Sequence, residues 1–215
     1  MNKPVSCSFN QDRQTSTLFF VDEAGKRAGE YYVRGSVCFP LMIESPGARD
    51  GERLHDIVGF ALLACQDVET GVVTVFEQQE FAVIDHIVRD SEIAYKGLCT
   101  WFNECWSRYF CRKYFYFHRD HEYARKFRLD IHRSVMIAPK PEMIELEIYD
   151  DSELNHVIWS YVKTQRLVYE RDSTIHVQTK QLRDGDKAIH PAIYALQVLL
   201  CGLDRFPYRK RTQGE

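Results

Sequence analysis

Apolar and polar residues alternate along EYYVRGSVCFPLMIE, with Tyr31, Val33, Gly35, Val37, Phe39, Leu41 and Ile43 sharing one side, which predicts a β-strand with one core-facing surface. Pro40 places an edge or a bulge near its end. STLFFVDE, before the AGKRAG turn, predicts another strand, and SPGARDGER reads as a loop from its Pro and Gly content. IVGFALLACQDV and VVTVFEQQEFAVIDHIV flank Glu69-Thr70-Gly71, a short Gly-containing connection of the kind that closes a β-hairpin.

Around Gly97 the period changes from two to helical. Leu98, Trp101, Phe102, Cys105, Trp106, Tyr109 and Phe110 recur every three or four positions, as one buried helix face requires. YFYF then reads as extended, and His121 to Ser134 as a second helix with Tyr123, Ala124, Phe127 and Ile131 on its apolar side. Beyond Pro139 and Pro141, EMIELEIYD predicts a strand and SELNHVIWSYVKTQ a helix capped by Asp151 or Ser152. RLVYERD and STIHVQTK predict a hairpin, and HPAIYALQVLLCGL a final helix with Pro191 in its first turn. Strands followed by helices point to an α+β fold. The expected architecture is an antiparallel N-terminal β-sheet over residues 1–95, packed against a mixed helix and strand half over residues 96–215, the two forming one compact unit.

Composition narrows the class. With 215 residues, 45% hydrophobic and 27% charged, the chain is that of an ordinary globular protein. Its opening residues lack the apolar core of a signal peptide and no apolar run is long enough to span a bilayer, so a cytoplasmic protein with no membrane partner is expected. Seven cysteines, at positions 7, 38, 65, 99, 105, 111 and 201, form an odd set without CxxC spacing. Reduced, buried thiols are the expectation.

The net charge of −3 hides a segregation. From Lys96 to Lys140 the basic residues outnumber Glu104, Asp120, Glu122 and Asp130, and the tail carries Arg205, Arg209, Lys210 and Arg211. On the second predicted helix His121, Arg125, Arg128 and His132 fall on one side, flanked by Lys126, Arg133 and the preceding Arg119. Arginine forks match phosphate oxygens, and Tyr114 and Tyr116, sharing one face of the YFYF strand, are candidates for stacking on bases. The expected function is a non-catalytic protein that binds single-stranded RNA or DNA, alone or as a subunit of a larger assembly. Arg119, Arg125, Lys126, Arg128 and Arg133 would hold phosphates, and Arg209, Lys210 and Arg211 would add an electrostatic arm.

A nuclease is the first alternative. His121 and His132 could form an acid–base pair on RNA, and the interval from Arg125 to His132 resembles the Arg and His spacing of helical ribonuclease domains, without the polar residue that usually follows the Arg. Asp67-Val68-Glu69-Thr70-Gly71 resembles the first metal-binding motif of proofreading-type 3′ exonucleases. The later His-x-Ala-x-x-Asp acid is missing, because His190-Pro191-Ala192 runs into Tyr194 and Ala195. Asp22 could join Asp67, Glu69 or Glu77 in a carboxylate cluster, with Mg2+ as the implied cofactor. Otherwise no cofactor or metal is expected, since Cys99, Cys105, Cys111, His118 and His121 lack zinc-ligand spacing. Neither a phosphate-binding glycine loop nor a Gly-x-Ser-x-Gly elbow nor a dinucleotide fingerprint occurs. A second alternative is a protein-binding adaptor or inhibitor that offers its acidic sheet to a basic partner.

Overall fold

The computed structural model describes residues 6–10, 15–21, 24, 27–38, 57–83, 96–118, 142–147, 151–182 and 190–207. In chain order these form β1 (Ser6–Asn10), β2 (Thr15–Val21), β3 (Arg27–Cys38), β4 (Ile57–Asp67), β5 (Val73–Val83), α1 (Lys96–Tyr109), β6 (Lys113–Phe117), β7 (Glu142–Leu146), α2 (Asp151–Lys163), β8 (Leu167–Val168), α3 (Thr174–Gln181) and α4 (Pro191–Arg205).

The first five strands form an antiparallel meander, each paired with the next. Between β4 and β5 the expected hairpin turn is present, with Gly71 at a φ of +70° and its N–H bonded to the Asp67 carbonyl. The strands of the C-terminal half do not pack against this sheet as a separate layer; they extend it. β6 pairs with β3, β7 with β6, and β8 with β5, all in parallel. The sheet is therefore mixed, which corrects the expectation of a purely antiparallel one.

β3 is where the sheet forks. One of its edges pairs with β4 from Tyr31 to Cys38, while the other pairs with β2 up to Tyr32 and with β6 at Gly35 and Ser36. Both faces of the sheet are covered. Phe60, Leu62 and Ala64 of β4, with Phe115 and Phe117 of β6, pack with residues of α2, α3 and α4. Ala61, Leu63 and Cys65, with Tyr114 and Tyr116, pack against Leu98, Trp101, Phe102 and Cys105 of α1. Double coverage explains why GFALLAC is an unbroken apolar run. It also corrects the single-faced reading of β3, because residues 32–38 are buried on both sides; Pro40 and residues 39–43 lie outside the described residues.

Helix α4 is buried almost all round, from Ala192 to Leu203, as a uniformly apolar helix must be. Its start follows the expectation, with His190 accepting from the Ala192 N–H and Pro191 in the first turn. Ser36 fastens it to the sheet by donating to the Ala195 carbonyl at 2.7 Å. STIHVQTK, expected as half of a hairpin, is instead the helix α3. Ser173 caps it by accepting from the His176 N–H, and Ile175 and Thr179, four positions apart, form its buried side. The expected helix from His121 to Ser134 lies outside the described residues. Among the described residues, no helix is long and apolar enough to cross a membrane.

Candidate functional site

The parallel pair β6 and β7 places Tyr116 directly opposite Glu145. Residues two apart on a strand share a face, so His118, just past the end of β6, lies on the same side as Tyr116. These three side chains meet. The Tyr116 hydroxyl donates to Glu145 Oε2 at 2.8 Å, and His118 Nδ1 donates to Glu145 Oε1. Tyr116 is 1% exposed, whereas the His118 and Glu145 side chains are 52% and 28% exposed. A core phenol thus anchors one oxygen of a carboxylate whose other oxygen orients a solvent-facing imidazole. Such a pair can hold and transfer a proton in a fixed direction.

The end of α4 arrives at the same place. Arg205 Nη1 donates to the carbonyl of Glu147, the residue that follows β7, at 2.8 Å. Phe206 stacks on Phe115 of β6 with ring centroids 5.9 Å apart. Gly202 lets the helix come this close, since a Cβ there would stand 2.4 Å from the Phe115 ring. Asp204 accepts from the Tyr161 hydroxyl at 2.6 Å. Burial, and then this carboxylate, push the Tyr161 phenol above its ordinary value. The chain positions from which both basic segments continue, His118 before Arg119 and Arg205 before Arg209, therefore belong to one end of the sheet. That end contains the C-terminal ends of parallel strands, where open sheets commonly receive ligands.

The sequence-predicted residues fare unevenly. Tyr114 and Tyr116 are 0% and 1% exposed, which corrects their assignment as stacking platforms: their rings are enclosed and cannot present a face to a base. Tyr114 lies across Gly35 and beside Phe102, with ring centroids 4.2 Å apart, and its hydroxyl adjoins the Cys111 thiol. Trp101 and Phe102 are likewise buried against the sheet by α1, so the aromatic density of this stretch is largely internal packing. Arg119, His121, Arg125, Lys126, Arg128, His132 and Arg133, with Arg209, Lys210, Arg211 and Asp22, lie outside the described residues.

Asp67 and Glu69 belong to the hairpin turn. Asp67 Oδ1 accepts from the N–H groups of Glu69 and Thr70 at 2.9 and 2.7 Å, a turn-forming role that accounts for the acid at this position. Glu77 accepts from the Tyr109 hydroxyl at 2.6 Å, and burial followed by this contact raises the Tyr109 phenol. Among the described residues, no group of three or more His, Cys, Asp or Glu side chains is arranged to hold a metal ion.

Sequence reasoning missed His118 and Glu145. The spacing of Tyr116 and His118 on one strand face was visible, but their carboxylate partner depends on the register of β7, which is a non-local fact. It also missed Arg34, which is only 4% exposed at the fork of β3. The Arg34 guanidinium lies 3.6 Å over the Tyr32 ring and donates to the Val33 carbonyl at 2.8 Å, while its Nε has no hydrogen-bond partner. Burial pulls this group down to about 10, against the opposing pull of Cys111 and Glu142. Cys38, Cys65, Cys99, Cys105, Cys111 and Cys201 are buried free thiols, as expected. No protein-family model matches the chain, and no curated protein matches it either.

Proposed function

We propose that this is a cytoplasmic protein that binds single-stranded RNA or DNA through its two basic segments, residues 119–133 and 209–211. The observation that carries the reading is the junction of α4 with the β6 and β7 end, where Arg205 is bonded to the Glu147 carbonyl. Segments far apart in sequence continue from neighbouring points, so one strand of nucleic acid can meet both. Arg119, Arg125, Lys126, Arg128 and Arg133 neutralise phosphates, and Arg209, Lys210 and Arg211 extend the contact. With Tyr114 and Tyr116 enclosed, binding is dominated by the phosphate backbone and carries little base preference. The buried free thiols support a reducing compartment.

The test is fluorescence anisotropy with labelled single strands. Reversing charge at Arg125 and Arg128 together, or at Arg209 and Lys210 together, lowers affinity by about tenfold or more, because each pair removes phosphate contacts. Unchanged affinity in both double variants would contradict the reading. A nuclease is favoured as a second reading by the carboxylate-oriented His118, whereas the Asp67 carboxylate, being engaged by the hairpin turn, lends it no support.

A further inference from the structure

We propose that the buried guanidinium of Arg34, at the fork of β3, binds a small carboxylate monoanion of the size of formate or acetate. Three observations converge there. First, the backbone opens. On that edge of β3 the pairing with β2 ends at Tyr32 and the pairing with β6 begins at Gly35, so Val33 and Arg34 lie between the two. Second, the guanidinium is engaged on one side only. Its Nη1 donates to the Val33 carbonyl at 2.8 Å and its carbon lies 3.6 Å over the Tyr32 ring, whereas Nε has no hydrogen-bond partner and no bond of Nη2 occurs among the described residues. The edge formed by Nε and Nη2 is the one that meets both oxygens of a carboxylate with two parallel N–H bonds. Third, the charge lacks a counterpart. Arg34 is 4% exposed, and a buried cation is costly unless it is paired.

The surroundings select the ligand. Burial pulls Arg34 down to about 10, so it is still a cation at neutral pH. Two acidic groups reach it with their fields, Cys111 and Glu142. The Cys111 thiol is pushed up to about 12 and is uncharged at neutral pH, and the Glu142 carboxylate is paired with Lys113 at 3.7 Å. The fork therefore carries one net positive charge, which a monoanion balances, while a dianion such as sulfate leaves a buried negative excess. A planar carboxylate matches the Nε and Nη2 edge, whereas a spherical chloride cannot span it with two oxygens. So little of Arg34 reaches the surface that the ligand must be an ion of a few atoms rather than a chain.

The experiment exchanges formate for chloride at constant ionic strength and follows the thermal melt of the full chain, with titration calorimetry on the same samples. The expected result is a saturable rise in the melting temperature, by about 3–6 °C at about ten times the dissociation constant, and heat of binding at a single site. Arg34→Met removes the charge, and Arg34→Lys keeps it without the bidentate edge. Each abolishes the rise and weakens formate binding by about tenfold or more. Sulfate exchanged in the same way moves the wild-type chain and Arg34→Met equally, because its exclusion from the surface and its contact with other basic residues act on both. No formate-dependent rise, a rise that either Arg34 variant retains, or a sulfate effect that Arg34→Met abolishes would overturn the inference. No nucleic acid is present in the assay, so the outcome is independent of the binding reading above.

Discussion

Arg205 and Glu147 are joined by a 2.8 Å hydrogen bond from the guanidinium to a backbone carbonyl, which ties the last turn of α4 to the residue after β7. The two residues are 58 positions apart. Hydrophobic packing reinforces the tie, since Phe206 stacks on Phe115 and Gly202 admits the same ring. Without this junction, the basic stretch after His118 and the basic tail would be independent arms. With it, they continue from one end of the sheet, as the proposed binding of a single polyanion to both requires.

Gly35 is set against the Tyr114 ring, and a Cβ at that position would stand 2.3 Å from Tyr114 Cδ1. Tyr114 is fully buried between the sheet and α1, so the ring has little room to retreat. Gly35→Ala is expected to destabilise the fold by about 1–3 kcal/mol, the usual cost of overpacking a core. Gly97, near the start of α1 with nothing within 4 Å of its would-be Cβ, gives the opposite sign: Gly97→Ala leaves stability unchanged or raises it by up to about 1 kcal/mol. Urea denaturation midpoints check both.

Burial pushes the thiols of Cys65 and Cys111 up to about 12 from an ordinary 9.0. In the unfolded chain these thiols ionise as pH passes about 9, while in the folded protein they stay protonated until about 12. The unfolded state thus binds fewer protons in that window, and stability, complete below pH 9, falls as pH rises toward 12. The slope approaches about 1.4 kcal/mol per pH unit for each such thiol. Thermal melts above pH 9 should show the fall, and Cys65→Ala should flatten it; a stability constant between pH 8 and about 10.5 would count against this account.

Arg34 is a buried cation with no carboxylate bonded to it among the described residues. Removing such a charge in favour of an apolar side chain of similar length is commonly neutral or stabilising by about 1–4 kcal/mol, against about 0.5–2 kcal/mol for the lost contact with the Tyr32 ring. Arg34→Met is therefore expected to be neutral or stabilising in chemical denaturation. A loss of more than about 1 kcal/mol would mean that the guanidinium gains more from its surroundings than Tyr32 and the Val33 carbonyl supply.

Local pattern was a good guide where the physics was local. The helical stripe of α1, the β4 and β5 hairpin with its Gly71 turn, and the proline-led start of α4 follow from periodicity and turn chemistry alone. α3 did not, because Thr174, Ile175, Val177 and Thr179 favour strands by propensity, while the Ser173 cap and the buried pair Ile175 and Thr179 decide for a helix. Tyr114 and Tyr116 were misread because YFYF shows no alternation of polarity. In a strand with β3 on one side, β7 on the other and helices over both faces, every one of those rings is interior. Parallel register, which brings Glu145 to Tyr116 and His118, carries no local signature at all.

The central claim is most directly tested by titrating salt against the affinity of the intact protein for a labelled single-stranded RNA. Phosphate contact by the eight proposed basic residues, at about 0.7 per contact for single strands, predicts that the logarithm of the association constant falls with the logarithm of salt concentration with a slope of about −5 to −6. An affinity that does not weaken as salt rises, or the absence of binding even at low salt, would contradict it.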